Sequence, residues 1–244
     1  MQNFNPITPS LRHMCLYEKK YLYKKKSFKW LVIPIKRNIG FNSLGRKTSF
    51  KKKLYHRRKL KLIDNFEPSY NSIPFLIKRF EYDANRNTSL ALILYSHGLY
   101  KYIINYNKIN LYSIKNIASS MYLKNTRIGS IICFIKNNLK NIIYIKASGT
   151  KGQVMQRKKN YILLLLPSKT RKMIHSNWFV NIDFVCSYGD TNYLNLGKSG
   201  KSIYKGIRPT VRGVAMNPYD HPHGGGEGKK SKSSFPRTPW GKKK

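Results

Sequence analysis

The sequence predicts a mainly β protein in which two consecutive small barrels lie between long, irregular, basic N- and C-terminal extensions. Short apolar or alternating runs fill the middle of the chain, and Asn, Ser, Gly and Pro break them about every ten residues. Both ends lack such runs and are rich in Lys and Arg. The sequence does not sustain the 3.6-residue periodicity that a long amphipathic helix requires.

The N-terminal extension, residues 1–58, interleaves cations with aromatic residues, as in YEKKYLYKKKSFKW and FKKKLYHRRK. This composition is typical of a solvated, disordered arm, or of an arm that follows phosphates and stacks its rings on bases or ribose. The charge of the chain favours the second interpretation, because 48 Lys and Arg against 9 Asp and Glu give a formal net charge of +39. A compact state with this excess needs an extended polyanion, and nucleic acid is the obvious one.

Two sets of predicted strands follow. KLKLIDNF, IPFLIKRFEYD and SLALILYSHGLYKYIINY belong to the first set, in residues 59–118, and RIGSIICFIK, YILLLLPS and FVNIDFVCS to the second, in residues 119–190. We expect each set to close into one small antiparallel barrel, with the joint near residue 118. The C-terminal extension, residues 191–244, has too few aliphatic side chains for a core of its own, so we expect a partner to order it.

Membrane anchoring and disulfide chemistry are both disfavoured. The longest aliphatic run, ILLLL at 162–166, is far shorter than the roughly 18–20 apolar residues that span a bilayer. Cys15, Cys133 and Cys186 are widely spaced and odd in number, which predicts reduced thiols and neither a disulfide framework nor a zinc cluster. We therefore expect no membrane partner and no cofactor.

The segment LGKSGKS, residues 196–202, has the composition of a nucleotide-binding loop without its spacing. Gly197 and Gly200 are too close together for that motif, and the sequence predicts no helix after them. We expect Lys198 and Lys201 to offer their charge to RNA phosphates instead.

The segment AMNPYDHPHGGGEG, residues 215–228, holds the densest group of reactive side chains. His221 and His223 would supply two of the three or four ligands that a zinc site needs, and the other histidines are far away in sequence. Asp220 directly precedes His221, which is poor geometry for orienting that same imidazole as a general base. A metal centre and a hydrolase site are both disfavoured.

A loop that enters a crevice of folded RNA fits this segment better. The glycines Gly224–Gly226 leave the backbone thin and permit positive φ, while flanking prolines fix its direction. Arg208 and Arg212, a few residues earlier, can make bidentate contacts to phosphates or bases.

The stretch GIRPTVRGVAMNPYDHPHGGGEGKK, residues 206–230, closely resembles the signature of the L2 family of large-subunit ribosomal proteins, of bacterial and organellar type. The resemblance covers most of the chain from residue 42 onward. Further similar segments are GRK (45–47), HRRKLKLID (56–64), RFEYDANR with LALILYSHGLYKYII, KASGT (146–150), LLLLPSKTRK and TPWGKKK (238–244).

The resemblance implies an oligonucleotide-binding-type barrel followed by a Src-homology-three-like barrel. It also implies a structural constituent of the large ribosomal subunit that is not an enzyme, because the RNA carries the chemistry. The implied partners are large-subunit rRNA near the peptidyl transferase centre, neighbouring ribosomal proteins, the small subunit through an intersubunit bridge and, indirectly, tRNA. Such a protein supports subunit association, tRNA placement and peptide-bond formation.

Carried over by position, the resemblance assigns functional residues. Asp220 and His221 are the implied candidates for a role near the peptidyl transferase centre. The implied rRNA-binding residues are Arg46, His56, Arg57, Arg86, Lys146, Lys198, Lys201, Arg208, Arg212, Asn217, His221, His223, Gly224, Gly225, Gly226 and Trp240.

Two loops depart from the family pattern. KKKLY, just before His56, replaces a glycine-rich turn, and NNLKN replaces a Pro-Gly-x-Gly-Gly stretch, so the family's RNA contacts are not carried over to residues 50–55 and 137–141. The heavy use of Ile, Asn, Lys, Tyr and Phe, whose codons are rich in A and T, indicates an A/T-biased genome. Together these features predict an organelle-encoded copy, in a mitochondrion or, alternatively, in a plastid-type organelle.

The residues alone, without the resemblance, leave two other functions open. One is a free metal- or His-dependent enzyme that uses Asp220 and His221, and the other is a general nucleic-acid packaging protein. Turnover or stoichiometric metal in the absence of RNA would favour the enzyme, and equal affinity for DNA and rRNA would favour packaging.

Overall fold

A computed structural model of the chain describes residues 2–35, 39–64, 73–106, 114–115, 120–137, 142–188, 194–227 and 235–243. The prediction of a mainly β fold built from antiparallel sheets is confirmed. The chain forms two compact units, which we call the sheet unit (residues 1–36 and 57–197) and the tail unit (residues 37–56 and 198–244). The division into four consecutive ranges stays a prediction, and the predicted joint near residue 118 lies outside the described residues.

The strands are β1 (Gln2–Asn3), β2 (Cys15–Leu16), β3 (Val32–Pro34), β4 (Lys59–Lys61), β5 (Phe75–Glu81), β6 (Leu90–Tyr95), β7 (Tyr100–Ile104), β8 (Ile114–Lys115), β9 (Ser120–Tyr122), β10 (Ile131–Lys136), β11 (Ile142–Tyr144), β12 (Gly152–Arg157), β13 (Tyr161–Leu165), β14 (Arg171–His175) and β15 (Phe179–Ile182). The helices of the described residues are α1 (Pro9–Arg12), α2 (Ser199–Tyr204) and single 3₁₀ turns at Lys29–Leu31, Leu123–Asn125 and Gly213–Ala215.

The first antiparallel sheet has the strand order β7-β6-β5-β8, and its central strand β6 is buried on both faces. Ala91, Ile93 and Tyr95 face the main hydrophobic cluster. Leu90 and Leu92 face a second cluster, which Phe28 and Leu31 of the N-terminal segment cover. This two-sided burial explains why SLALILY reads as a continuous apolar run and does not alternate.

The second antiparallel sheet has the order β14-β13-β12-β10-β15-β9, and β11 also pairs with β10. Burial alternates along its strand β13, where Ile162 and Leu164 are buried and the residues between and beside them are partly or fully exposed. One hydrophobic cluster contains residues of both sheets, so Phe75 and Ile77 share a core with Ile132 and Ile135. The two sets of predicted strands therefore do not have separate cores.

Part of the predicted N-terminal extension packs on this core. Leu22 joins the main cluster, and β3 pairs with β4. The backbone N–H of Phe28 donates to the Tyr102 hydroxyl at 3.0 Å. Tyr102 in turn donates to Glu81 at 2.9 Å, so the segment is tied to a polar group inside the sheet.

Glu81 is the centre of a buried ionic network. Lys61 Nζ and Arg79 Nε lie 2.6 and 2.8 Å from its two carboxylate oxygens. Burial alone would raise the pKa of Glu81, but the bonds and charges of Lys61, Tyr102 and Arg79 outweigh it and lower that pKa. Burial, with the Glu81 charge beside it, raises the pKa of Tyr102 to about 12 although the Phe28 amide acts against it. The network therefore keeps Glu81 ionised and fully paired inside the sheet unit.

The prediction that no helix follows Gly200 is wrong, because α2 covers Ser199–Tyr204. Six residues are too short for the apolar periodicity that would have revealed this helix in the sequence. Within the described part of the chain, the structure contains no helix with the length and apolarity that crossing a membrane requires.

Candidate nucleic-acid interface

The tail unit joins two stretches of chain that are far apart in sequence. Lys52 and Ile207 form an antiparallel bridge, and Lys53 N donates to Gly206 O at 3.0 Å. Gly206 has φ +86°, and an added Cβ would lie 2.8 Å from the Tyr55 ring, so glycine is required at this crossing. The unit is rich in Lys and Arg, and its sequence contains just two acidic residues, Asp220 and Glu227.

Residues 213–225 of the tail unit form a compact loop, which we call the histidine loop. Its backbone is closed by hydrogen bonds within the loop itself. These bonds run from Met216 N to Gly213 O (3.2 Å), from Asp220 N to Asn217 O (3.0 Å), from His221 N to Asn217 O (3.2 Å), from Gly224 N to His221 O (2.8 Å) and from Gly225 N to Met216 O (3.2 Å).

His221 lies inside this loop and is 8% exposed. Its Nδ1 accepts a hydrogen bond from the backbone N–H of His223 at 3.0 Å. The His223 Nε2 accepts one from the backbone N–H of Arg237 at 2.9 Å, and the two rings stack with centroids 5.0 Å apart. A neutral imidazole that accepts at one nitrogen carries its proton on the other, so His221 is protonated at Nε2 and His223 at Nδ1.

This geometry is that of a held loop and not of a metal centre. A metal ion would need the ring lone pairs that already accept backbone hydrogen bonds. Among the residues that the structure describes, no three His, Cys, Asp or Glu side chains come together in a way that could hold a metal.

The local structure explains the presence of each of the three consecutive glycines in a different way. A Cβ on Gly224 would collide with the Asn217 carbonyl, and a Cβ on Gly225, at φ +76°, would lie 2.5 Å from Pro218 Cγ. Gly226 has φ +92° and open space around it. The first two glycines therefore permit close packing inside the loop, while the third provides a conformation that other residues rarely adopt.

The predicted contact residues of the tail unit are mostly on its surface. Trp240 and Phe50 are 69% and 54% exposed, and their ring centroids lie 5.7 Å apart. The backbone N–H of Arg46 donates to Asn42 Oδ1 at 2.8 Å. This bond does not involve the guanidinium group of Arg46, which is an exposed residue. The other exposed predicted residues are His56, Lys198, Arg208, Arg212, Asn217, Asp220, Gly225 and Gly226, and those partly exposed are Lys201, His223 and Gly224.

Three predicted contact residues belong to the sheet unit instead. Arg57 and Lys146 are exposed. The Nε of Arg86 lies 3.1 Å from an oxygen of the buried Asp83 carboxylate, so part of its charge is already used within the protein. The structure therefore gathers most of the predicted residues in the tail unit, but not these three.

Reasoning from the sequence missed Tyr219 as a contact residue, and it included Phe50 only among the aromatic residues of the N-terminal arm. Phe50 pairs with a ring far away along the chain, which no local pattern reveals. Tyr219 stands inside a motif whose histidines and glycines dominate its interpretation, and it is 99% exposed.

Comparison with known proteins identifies the family. Residues 29–113 match the RNA-binding N-terminal domain of Ribosomal Proteins L2, and residues 116–241 match the C-terminal domain of the same family. The chain is 35% identical to large ribosomal subunit protein uL2 of Beijerinckia indica subsp. indica, over 99% of this chain and 89% of the relative. It is 35% identical to uL2 of Rhodospirillum centenum and 36% identical to uL2 of Rickettsia prowazekii, each over 99% of this chain and 91% of the relative. The chain belongs to the L2 family of ribosomal proteins.

Proposed function

We propose that this protein, a structural, RNA-binding member of a large-subunit ribosomal family, uses its tail unit to bind large-subunit rRNA near the peptidyl transferase centre. There it supports subunit association, tRNA placement and peptide-bond formation. Its further partners are neighbouring ribosomal proteins, the small subunit through an intersubunit bridge and, indirectly, tRNA.

The histidine loop is the observation that carries this proposal. Its shape is fixed by its own hydrogen bonds, so it enters a crevice of RNA without a large loss of conformational entropy. Arg208 and Arg212 precede it and are exposed, which leaves their guanidinium groups available to phosphates or base edges. With a net charge of +39, the phosphate contacts of the chain release counterions and dominate its affinity.

His221 acts in this proposal as a positioned hydrogen-bond donor. Its Nδ1 is occupied by the His223 amide, so Nε2–H is the group left to donate to an RNA acceptor. Peptide-bond chemistry stays with the RNA, and the protein holds RNA in the reactive arrangement.

Sedimentation tests the assembly claim. A tagged copy of the chain, expressed in the organism that encodes it, should co-sediment with large subunits at moderate salt. It should also co-sediment with joined ribosomes when the subunits associate. Recovery in the soluble fraction at that salt would contradict the proposal. Equal retention on DNA and on rRNA would favour general packaging instead.

We further propose a mitochondrial location, with a plastid-type organelle as the alternative. The relatives include uL2 proteins of Rickettsia, and the chain has the composition expected of an A/T-biased genome. Ribosomes purified from isolated mitochondria should contain the chain in stoichiometric amount. Its recovery from plastid-type or cytosolic ribosomes would overturn this assignment.

A further inference from the structure

Among the large hydrophobic side chains of the described residues, that of Tyr219 is the most exposed, at 99%. A single exposed apolar side chain needs no explanation by itself. Tyr219 differs from the ordinary case because of the backbone that carries it and the charges of its unit.

The backbone on both sides of Tyr219 is fixed. Asn217 O accepts hydrogen bonds from Asp220 N at 3.0 Å and from His221 N at 3.2 Å, which closes the turn that has Tyr219 at its tip. Pro218 restricts its own φ and packs against Gly225, where a Cβ would lie 2.5 Å from Pro218 Cγ. A partner of the ring therefore does not have to order the loop, so little of the binding energy is lost to conformational entropy.

The exposed ring and the basic composition of the tail unit together favour an anionic partner with flat, apolar faces. Arg208 and Arg212 are exposed in the same unit, where basic residues far outnumber the two acidic ones. An unpaired nucleotide combines a π face for the ring with a phosphate for the cations. Asp220, next to Tyr219 and exposed, can accept a hydrogen bond from an exocyclic amino group of a base.

We propose that Tyr219 is a stacking platform for an unpaired nucleobase of the large-subunit rRNA. This inference rests on the proposed function and adds to it one residue and one ligand class. The tyrosine stacks on the base, and cations of the tail unit hold phosphates of the same RNA.

Ultraviolet cross-linking tests the contact directly. Large subunits that carry the full-length chain are irradiated, and mass spectrometry identifies peptides bearing a covalently attached nucleotide. We expect a nucleotide on Tyr219, retained at position 219 in Tyr219→Phe and lost in Tyr219→Leu, which keeps an apolar side chain without an aromatic face. The affinity of the full-length chain for its rRNA should fall about tenfold in Tyr219→Leu and change little in Tyr219→Phe.

We expect Tyr219→Leu to fold like the wild type, because a side chain that is 99% exposed makes no packing contacts that the substitution could remove. An unchanged melting temperature of Tyr219→Leu checks this. Large subunits that contain the chain but yield no nucleotide on Tyr219, together with equal rRNA affinity for wild type and Tyr219→Leu, would overturn the inference alone. A cross-link from Tyr219 to a neighbouring protein would also overturn it. Failure of the wild-type chain to enter large subunits would instead overturn the proposed function, and this inference with it.

Discussion

The backbone N–H of His223 donates a hydrogen bond to Nδ1 of His221 at 3.0 Å, and the two imidazole rings stack on each other. An added Cβ on Gly213 would lie 2.5 Å from that same Nδ1, so the loop closes around the His221 ring. The imidazole is therefore part of the architecture of the loop as well as its most chemically versatile group. Two different substitutions of His221 can therefore distinguish its role in holding the loop from its role as a hydrogen-bond donor.

His221→Ala should leave the sheets folded and impair subunit joining or peptide-bond formation. The reason is that His221 belongs to neither hydrophobic cluster of the described residues, while its removal takes the acceptor from the His223 amide. We expect the melting temperature to stay near that of the wild type, and ribosomes carrying the variant to lose activity several-fold. A variant that does not fold would contradict this.

His221→Asn is the matched control, since its Oδ1 can take the place of Nδ1 as the acceptor. Restored activity would mean that His221 acts by holding the loop. Activity as low as that of His221→Ala would mean that the Nε2–H group is itself required.

Gly224→Ala should distort the histidine loop and weaken rRNA binding, because its Cβ would collide with the backbone of Asn217. Gly200→Ala is the control, since Gly200 lies in α2 with nothing near the added Cβ. There alanine should stabilise the helix by about 0.5–1 kcal/mol. Filter binding to rRNA and thermal melting measure both effects, and equal rRNA affinities of the two variants would contradict the account of Gly224.

Arg212→Ala should weaken rRNA binding by about 1–3 kcal/mol if its guanidinium makes a buried bidentate contact. Arg212→Lys keeps the charge but cannot form the planar fork, so we expect it to recover part of that loss. Binding isotherms at two salt concentrations measure both the affinity and the salt slope. Wild-type affinity in Arg212→Ala would exclude the contact.

Lys136, at the end of β10, gives a pH-dependent prediction for the isolated protein, because it is 2% exposed. Burial lowers its pKa to about 7, although the charge of Asp64 acts in the opposite direction. The unfolded chain, with a lysine pKa of about 10.4, therefore binds more protons than the folded chain between these pH values. The free energy of unfolding should consequently increase as pH rises from about 7 to about 10, and decrease as pH falls through that range.

Lys136→Met removes this titration and the cost of burying the charge. The variant should be more stable than the wild type by about 1–3 kcal/mol near neutral pH. Its advantage should shrink as pH rises, because the wild-type lysine then loses its proton. Urea unfolding of both proteins across this pH range measures the difference, and a constant difference would contradict the prediction.

The mainly β fold could be predicted because strand signals are local. The apolar run YILLLL and the turn residues that bound it appear within a few positions, and most of this run forms β13. The packing of Phe28 and Leu31 on β6 could not be predicted in this way. It joins residues about sixty positions apart, and an aromatic residue among lysines gives the same local pattern whether it is free or packed.

The candidate site was predictable as a motif but not as a structure. The histidines, glycines and arginines of residues 206–226 stand out in the sequence, yet the reason for each glycine depends on which carbonyl or proline lies beside it. The pairing of residues 37–56 with the C-terminal segment depends on contacts such as the Lys52–Ile207 bridge. Such contacts between distant residues have no signature in either stretch alone.

A density map of the ribosome that contains this chain, at side-chain resolution, tests the central claim most directly. We expect large-subunit rRNA around the histidine loop, with a phosphate or base edge within hydrogen-bond distance of Arg208 and Arg212 and an acceptor within hydrogen-bond distance of His221 Nε2. A histidine loop that faces solvent, or that contacts protein alone, would contradict that claim.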